Sequence, residues 1–284
     1  METSLVEVRS ILTRAGGFLR TVCSHSLQPY RGCPFGRSLC GAGCYVQHMH
    51  YVTRGRAWGS FLEVRSNAAQ CYREQAPREG AWARRSRGRF SIFLSSATEP
   101  FPPAERKYGV TRGVLEAMLE GPPDDLILQT HSADVARHAD LLVALSGRCR
   151  LRVHVSVECD RDRVPGLPPA AVPVQQRLDA ARQLKERGLF VVVTVSPLLP
   201  ISEPEEFFRR VAECANAAVI DHYIEGDGTP DGSRTARTPV PAAMAALEPA
   251  SVSLEYRDRM VEVARRFLPA GVNIAGFAGR YGSA

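Results

Sequence analysis

No stretch of this 284-residue chain approaches the ~18 consecutive apolar residues that a membrane-crossing helix needs, so no membrane partner is expected. The first twenty residues are broken by Glu2, Glu7, Arg9 and Arg14. They lack the continuous apolar segment of a secretory leader, which makes the cytoplasm the expected location. A phosphate loop of the form G-x-x-x-x-G-K followed by Ser or Thr is also missing, and no segment repeats at a fixed period. What remains is the composition of an ordinary globular protein, 44% hydrophobic and 23% charged, which excludes a largely disordered chain. At this length one large domain is favoured over two.

The formal net charge is +6. Between residues 54 and 89 nine arginines meet three glutamates, Glu63, Glu74 and Glu79, so this one region accounts for the whole excess. With Trp58, Tyr72 and Trp82 interleaved, it has the pattern of a surface that grips phosphates and stacks bases, and nucleic acid is a candidate partner. The plainer reading of Arg84, Arg85, Arg87 and Arg89 is a solvated basic loop, with residues 80–88 as a flexible segment.

From residue 89 onward, short apolar runs alternate with amphipathic stretches. This is the pattern of strands buried on both faces and of the helices that cover them. Strands are predicted over residues 89–96, 126–130, 151–157, 190–195, 218–224 and 272–274. Helices are predicted from near Thr111 and over residues 133–145, 174–187, 203–214 and 253–267. Such alternation with short connections implies an α/β fold with a parallel sheet, closed or partly closed into a barrel. Before residue 89 the pattern is weaker, with strands at 21–27 and 61–65. Residues 226–241, rich in Gly, Pro and Thr, read as a long loop of the kind that carries function. The expected organisation is an N-terminal extension (1–20), a partial barrel (21–225) with a cysteine-bearing loop at 29–50, and a C-terminal loop and helix (226–284) completing the same domain.

Eight cysteines are present. Cys23, Cys71, Cys149, Cys159 and Cys214 are scattered and read as packed, reduced thiols, Cys159 being the one that follows a strand end. Cys33, Cys40 and Cys44 instead share one stretch punctuated by glycines 32, 36, 41 and 43, which points to a metal. Two readings are open from the residues alone. Zinc needs a fourth ligand, for which His48 or His50 is at hand; the chain would then be a zinc-stabilised nucleic-acid-binding protein without catalysis. A 4Fe-4S cluster on three cysteines leaves one iron free to bind a cofactor.

The loop that begins Pro29-Tyr30-Arg31-Gly32-Cys33 and closes on Cys44-Tyr45 resembles that of radical S-adenosylmethionine (SAM) proteins of the spore photoproduct lyase, or DNA repair photolyase-like, family. Residues 95–100, 103–108, 126–132, 153–158, 173–178 and 193–200 resemble later family segments in the same order, so the match spans residues 22–215. The ligand spacing is C-x6-C-x3-C against C-x3-C-x2-C in the family, a lengthening that costs roughly 0.6 kcal/mol per doubling of the loop. Residues 95–99, where spore photoproduct lyase carries a hydrogen-donating cysteine, have none.

The resemblance implies a partial (β/α) TIM-like barrel with a 4Fe-4S cluster on Cys33, Cys40 and Cys44. It places SAM beside Tyr45, Ser96 and Ser156, with His131 at a position where relatives often have lysine. It implies reductive cleavage of SAM to a 5′-deoxyadenosyl radical that abstracts hydrogen from a substrate, with electrons from a flavodoxin- or ferredoxin-type donor. The 226–241 loop and the basic stretch are the expected lid and substrate-facing surface. Without the resemblance, Ser96 and Ser156 are ordinary strand-end serines, His131 is a loop histidine, and neither Glu99 nor Glu158 has an evident partner.

Overall fold

A computed structural model describes residues 1–282. Its strands are β1 (Glu2–Val6), β2 (Leu12–Arg14), β3 (His25–Leu27), β4 (Tyr30–Gly32), β5 (Phe61–Arg65), β6 (Ser91–Leu94), β7 (Asp125–Thr130), β8 (Arg150–Ser156), β9 (Val191–Val195), β10 (Ala217–Ile220) and β11 (Ala270–Val272). Eight of them form one sheet in the order β11-β10-β9-β8-β7-β6-β3-β2. From β3 to β11 every neighbouring pair is parallel, and β2 lies antiparallel on the edge. The sheet curls without its two ends pairing, which is the expected partial TIM-like barrel. Across the open side the rings of Phe18 and Phe277 meet edge to face, 5.9 Å apart. No helix among the described residues is long and apolar enough to cross a membrane.

Side-chain alternation explains why these segments are strands. Every residue of β9 is buried, and its valines suit a strand covered on both faces. In β8, Leu151, Val153 and Val155 join the core beneath the helices. The alternate residues Arg152, His154 and Ser156 point to the barrel interior, where the His154 ring stacks on Phe277. The interior cluster of Phe93, Ile127, Val192, Val219 and Phe277 fills the lower barrel. Outside, the helix Pro204–Cys214 shows the usual logic. Proline opens it, Glu205 and Glu206 occupy its first turn, and Phe207, Phe208, Val211 and Cys214 are buried.

A second sheet, β1-β5-β4, carries the cysteine loop, which leaves the end of β4 and returns in β5. Residues 1–20, read as an extension, are woven into both sheets: β1 pairs with β5 and β2 with β3.

Two expectations need correction. Residues 80–88 are not a flexible loop, because the helix Ala68–Arg87 continues past Pro77 to include most of them. Ala83 is buried and Arg84 pairs with Asp124 at 2.8 Å, so the polar run is the outward face of a helix. Nor does the basic stretch face the substrate side. Residues 84–89 directly precede β6, and Arg84 and Arg89 pair with Asp124 and Asp125 where β7 begins. They lie at the strand starts, opposite the strand tips, and Arg56 and Arg73 are likewise paired, with Glu63 and Glu120.

Candidate active site

The strand tips and the cysteine loop enclose a cavity of about 420 Å³, at the carboxyl ends of the strands where parallel α/β folds bind their ligands. Cys33, Cys40 and Cys44 all line it, and all three are free thiols. The loop is docked rather than loose: Leu39 N donates to Pro169 O at 3.0 Å, reaching the segment after β8. At residue 36 a Cβ would stand 2.5 Å from Gly59 N, so only glycine lets the outgoing chain pack on the returning one. Burial pushes the Cys44 thiol up to about 11, and burial with neighbouring negative charge also raises Cys33 and Cys40. Thiols held this way stay protonated until a metal displaces the proton.

The donor set fits a cluster with an open iron better than structural zinc. His48 and His50 are exposed and do not line the cavity with the sulfurs, so the expected fourth zinc ligand is not delivered and the zinc reading is not favoured. The cavity also fits a polar cofactor. Ser95 Oγ, Trp58 Nε1 and Asp221 Oδ1 are buried without any hydrogen-bond partner, and all three residues line it. Buried unsatisfied polar atoms cost about 1–3 kcal/mol each, so three of them around one cavity mark a place for a ligand with both donors and acceptors.

The residues singled out from the sequence are placed as follows. Tyr45 lines the cavity beside Cys44, its hydroxyl donating to Ser96 O at 3.4 Å. Ser96 also lines the cavity, but its hydroxyl already accepts from Gln28 Nε2 at 2.9 Å. The unpartnered hydroxyl belongs to Ser95, which adopts a left-handed φ of +69°, a conformation that costs energy and concentrates at functional turns. Ser156 is fully buried and does not line the cavity; it accepts from Gln129 Nε2 at 3.1 Å, and Gln129 lines the wall. His131 lines the cavity between two carboxylates, with Nε2 3.0 Å from Glu158 and Nδ1 4.0 Å from Glu99. Cys159 is buried away from it, its Sγ 3.3 Å from Arg161 O.

Asp221 and Arg177 escaped the sequence reading, and Glu99 was set aside there as lacking a partner. Glu99 is 3% exposed and accepts from Phe101 N, His131 N and the Thr130 hydroxyl. Burial raises its carboxyl. Asp221, at the tip of β10, accepts from Ser196 Oγ at 2.9 Å, and burial lifts it to about 7. Arg177 is buried against Glu158 at 2.8 Å. Burial opposes the charge on Glu158, yet Arg177 and His131 outweigh it and hold the carboxyl well below its usual range. A signal for Asp221 was available: an acid placed directly after the apolar run 217–220 is a polar group at a strand tip.

No family model matches the chain. An uncharacterised protein of Acidianus two-tailed virus is 29% identical over 201 residues, 68% of this chain and 60% of its own length. A protein of Pseudomonas phage M6, named radical SAM Nalpha-GlyT isomerase, is 25% identical over 197 residues, 68% of this chain and 38% of its own. The chain thus spans at most 60% of the length of these two relatives. Among solved structures, spore photoproduct lyase complexed with dinucleoside spore photoproduct is similar with a TM-score of 0.66, covering 95% of this chain and 81% of that one at 14% identity. The chain therefore has the fold of spore photoproduct lyase, and the resemblance in the sequence is borne out at the level of the fold.

Proposed function

We propose that this chain, built on the spore photoproduct lyase fold, is a radical SAM enzyme. The observation that carries the assignment is the meeting of three thiols, with no fourth cysteine or histidine from their own loop, on a cavity at the tips of a partial barrel. Cys33, Cys40 and Cys44 would hold a 4Fe-4S cluster, and SAM would occupy the cavity beside it. When bound, these groups supply one-electron cleavage of SAM to methionine and a 5′-deoxyadenosyl radical that abstracts a hydrogen atom from the substrate.

The chain's own part is binding, orientation and exclusion of water. Ser95 Oγ and Asp221 Oδ1, both without partners, offer hydrogen bonds to the cofactor's hydroxyl and amino groups. Tyr45 and Ser96 form the wall beside Cys44, and Ser156 acts on the cofactor through Gln129. His131, whose ring nitrogens face Glu158 and Glu99, would stand on the cavity wall beside the cofactor. The segment after β10 covers the chamber as an ordered strap. Asp227 accepts from Thr229 N at 2.9 Å and from Thr235 N at 2.7 Å, and Arg234 Nη1 donates to Asp227 O at 3.0 Å. With Phe18, Leu19 and Phe277, which also line the cavity, it would keep water and unintended hydrogens from a reactive carbon centre.

Arg234 on the same cavity as Tyr51 and Trp58 suits a ring carried beside an anionic group, and nucleic acid is the substrate class proposed. Among the described residues no cysteine beyond the three lines the cavity, so hydrogen return by a cysteine is not part of this reading. Electrons would come from a flavodoxin- or ferredoxin-type donor. Eight free thiols suit a reducing cytoplasm.

Anaerobic reconstitution with iron and sulfide is expected to load about four of each per chain. Dithionite with SAM is then expected to release 5′-deoxyadenosine, and Cys40→Ala to abolish both. A colourless protein holding one tight zinc and releasing no 5′-deoxyadenosine would reject the assignment.

A further inference from the structure

Behind Cys40 lies a second, much smaller void of about 10 Å³, bounded by Leu39, Cys40, His131, Glu158, Arg177 and the 170–172 segment. Ligand atoms of Cys40, His131 and Glu158 all lie within 4.8 Å of one another. Arg177, on the helix Val174–Glu186, is 2% exposed. Its Nη1 donates to Glu158 Oε2 at 2.8 Å and to Ser156 O at 2.7 Å, while its Nε and Nη2 have no partner.

Structural economy does not account for this arrangement. A helix packing on a barrel is served at least as well by Leu or Met, and a buried ion pair is commonly matched or exceeded in stability by apolar residues of similar volume. Two unsatisfied N–H groups add to the cost. The placement beside Cys40 gives the pair another use. A carboxylate this close to a sulfur that would bind iron disfavours added electrons there, and the guanidinium next to it cancels that effect.

We propose that the Glu158–Arg177 pair sets the reduction potential of the cluster on Cys33, Cys40 and Cys44 through the balance of its two charges beside the Cys40 sulfur. This inference rests on the cluster reading above. The couple is the gain of one electron by the cluster, from the 2+ to the 1+ state, the electron coming from dithionite in a titration and from the low-potential carrier in the working enzyme. Charge near the cluster and hydrogen bonds to its sulfurs are recognised determinants of such potentials. Glu158 and Arg177 are positioning residues here, since Glu158 lies within 4.8 Å of the Cys40 sulfur and Arg177 lines the same void, away from the reacting carbon.

The test is a dithionite titration of reconstituted protein without SAM, followed by the electron paramagnetic resonance of the reduced cluster. Arg177→Met leaves a net negative neighbour and is expected to lower the potential. Glu158→Gln leaves a net positive one and is expected to raise it. Each shift should be at least tenfold in the reduction equilibrium, about 59 mV for one electron. Arg177→Lys keeps the charge and should stay within threefold of wild type. A merely structural pair would move both single variants the same way or neither. Should Arg177→Met fail to fold, Glu158→Gln and the double variant Glu158→Gln/Arg177→Met still differ by one charge and are expected to differ by at least tenfold. Clusters that assemble with unmoved potentials overturn this inference alone. Wild-type protein that takes up one zinc on Cys40, His131 and Glu158 and no cluster overturns the functional reading and this inference with it.

Discussion

Asp221 is nearly sealed at the tip of β10, and the segment that follows explains how. A Cβ at residue 226 would stand 2.7 Å from both carboxyl oxygens, so glycine lets the chain close directly over the acid. Burial lifts the carboxyl from 3.8 to about 7. An acid whose pKa is higher in the folded than in the unfolded chain contributes its full stability below the lower value and loses it as pH rises through the upper one. Asp221→Asn removes that loss. Urea unfolding of the metal-free protein is expected to find the variant more stable than wild type at pH 8, by up to roughly 4 kcal/mol, and equal to it near pH 4. Coincident curves at pH 8 would show that the acid is not buried as described. The three cysteines were legible in the sequence because their clue is local spacing, and Tyr45 only through the resemblance of their loop to a known family. Asp221, Glu99 and Arg177 were not, because a charged residue becomes a site only when distant segments close over it, as the 226 turn does over Asp221 and the helix Val174–Glu186 does over Glu158.

At the scale of elements, the cysteine loop depends on what holds its two ends. Tyr30 in β4 donates its hydroxyl to Glu105, whose carboxyl also accepts from Thr111 N at 3.0 Å and Arg112 N at 2.8 Å. One buried acid thus ties the strand that delivers the loop to the start of the helix Val110–Glu120. Within the loop, Gly36 lies on the returning chain at Gly59. Gly36→Ala is expected to force those strands of the loop apart. Iron content after reconstitution should fall several-fold, while the circular-dichroism melt, dominated by the barrel, moves by only about 1–2 kcal/mol equivalent. Full iron loading in this variant would mean the loop relaxes freely and is not pre-shaped. Strands and helices after residue 89 were legible from alternation, with ends shifted by a few residues: β10 stops at Ile220 because His222 caps the next turn by accepting from Ile224 N. The misreading of 80–88 has a physical cause too, since Arg84 to Arg87 and two flanking glycines carry no periodicity that separates an exposed helix face from a loop.

The whole molecule has two unlike ends. The arginine run 84–89 lies at the strand starts, with Arg84 and Arg89 paired to acids, and the cavity with Arg234 lies at the tips. If nucleic acid is the substrate, the binding energy belongs to the second end. Arg234→Ala is therefore expected to weaken binding of a single-stranded oligonucleotide and to reduce the salt slope by about one unit, measured between about 50 and 200 mM salt. Replacing Arg84, Arg85 and Arg87 together by alanine should leave both nearly unchanged. The reverse pattern would place the substrate on the far face and remove the reason to join charge and chemistry in one function. Charge counts along the chain could not settle this, because position relative to strand direction exists only once the sheet has formed.

A cylinder that meets itself admits guests only through its rim. This one is joined along one side by the two rings of Phe18 and Phe277 instead of by a ladder of main-chain pairing. Parting them breaks no strand-to-strand bond, but it would uncover the interior cluster in which Phe277 packs on Phe93 and His154, so the seam is closed by side-chain packing alone.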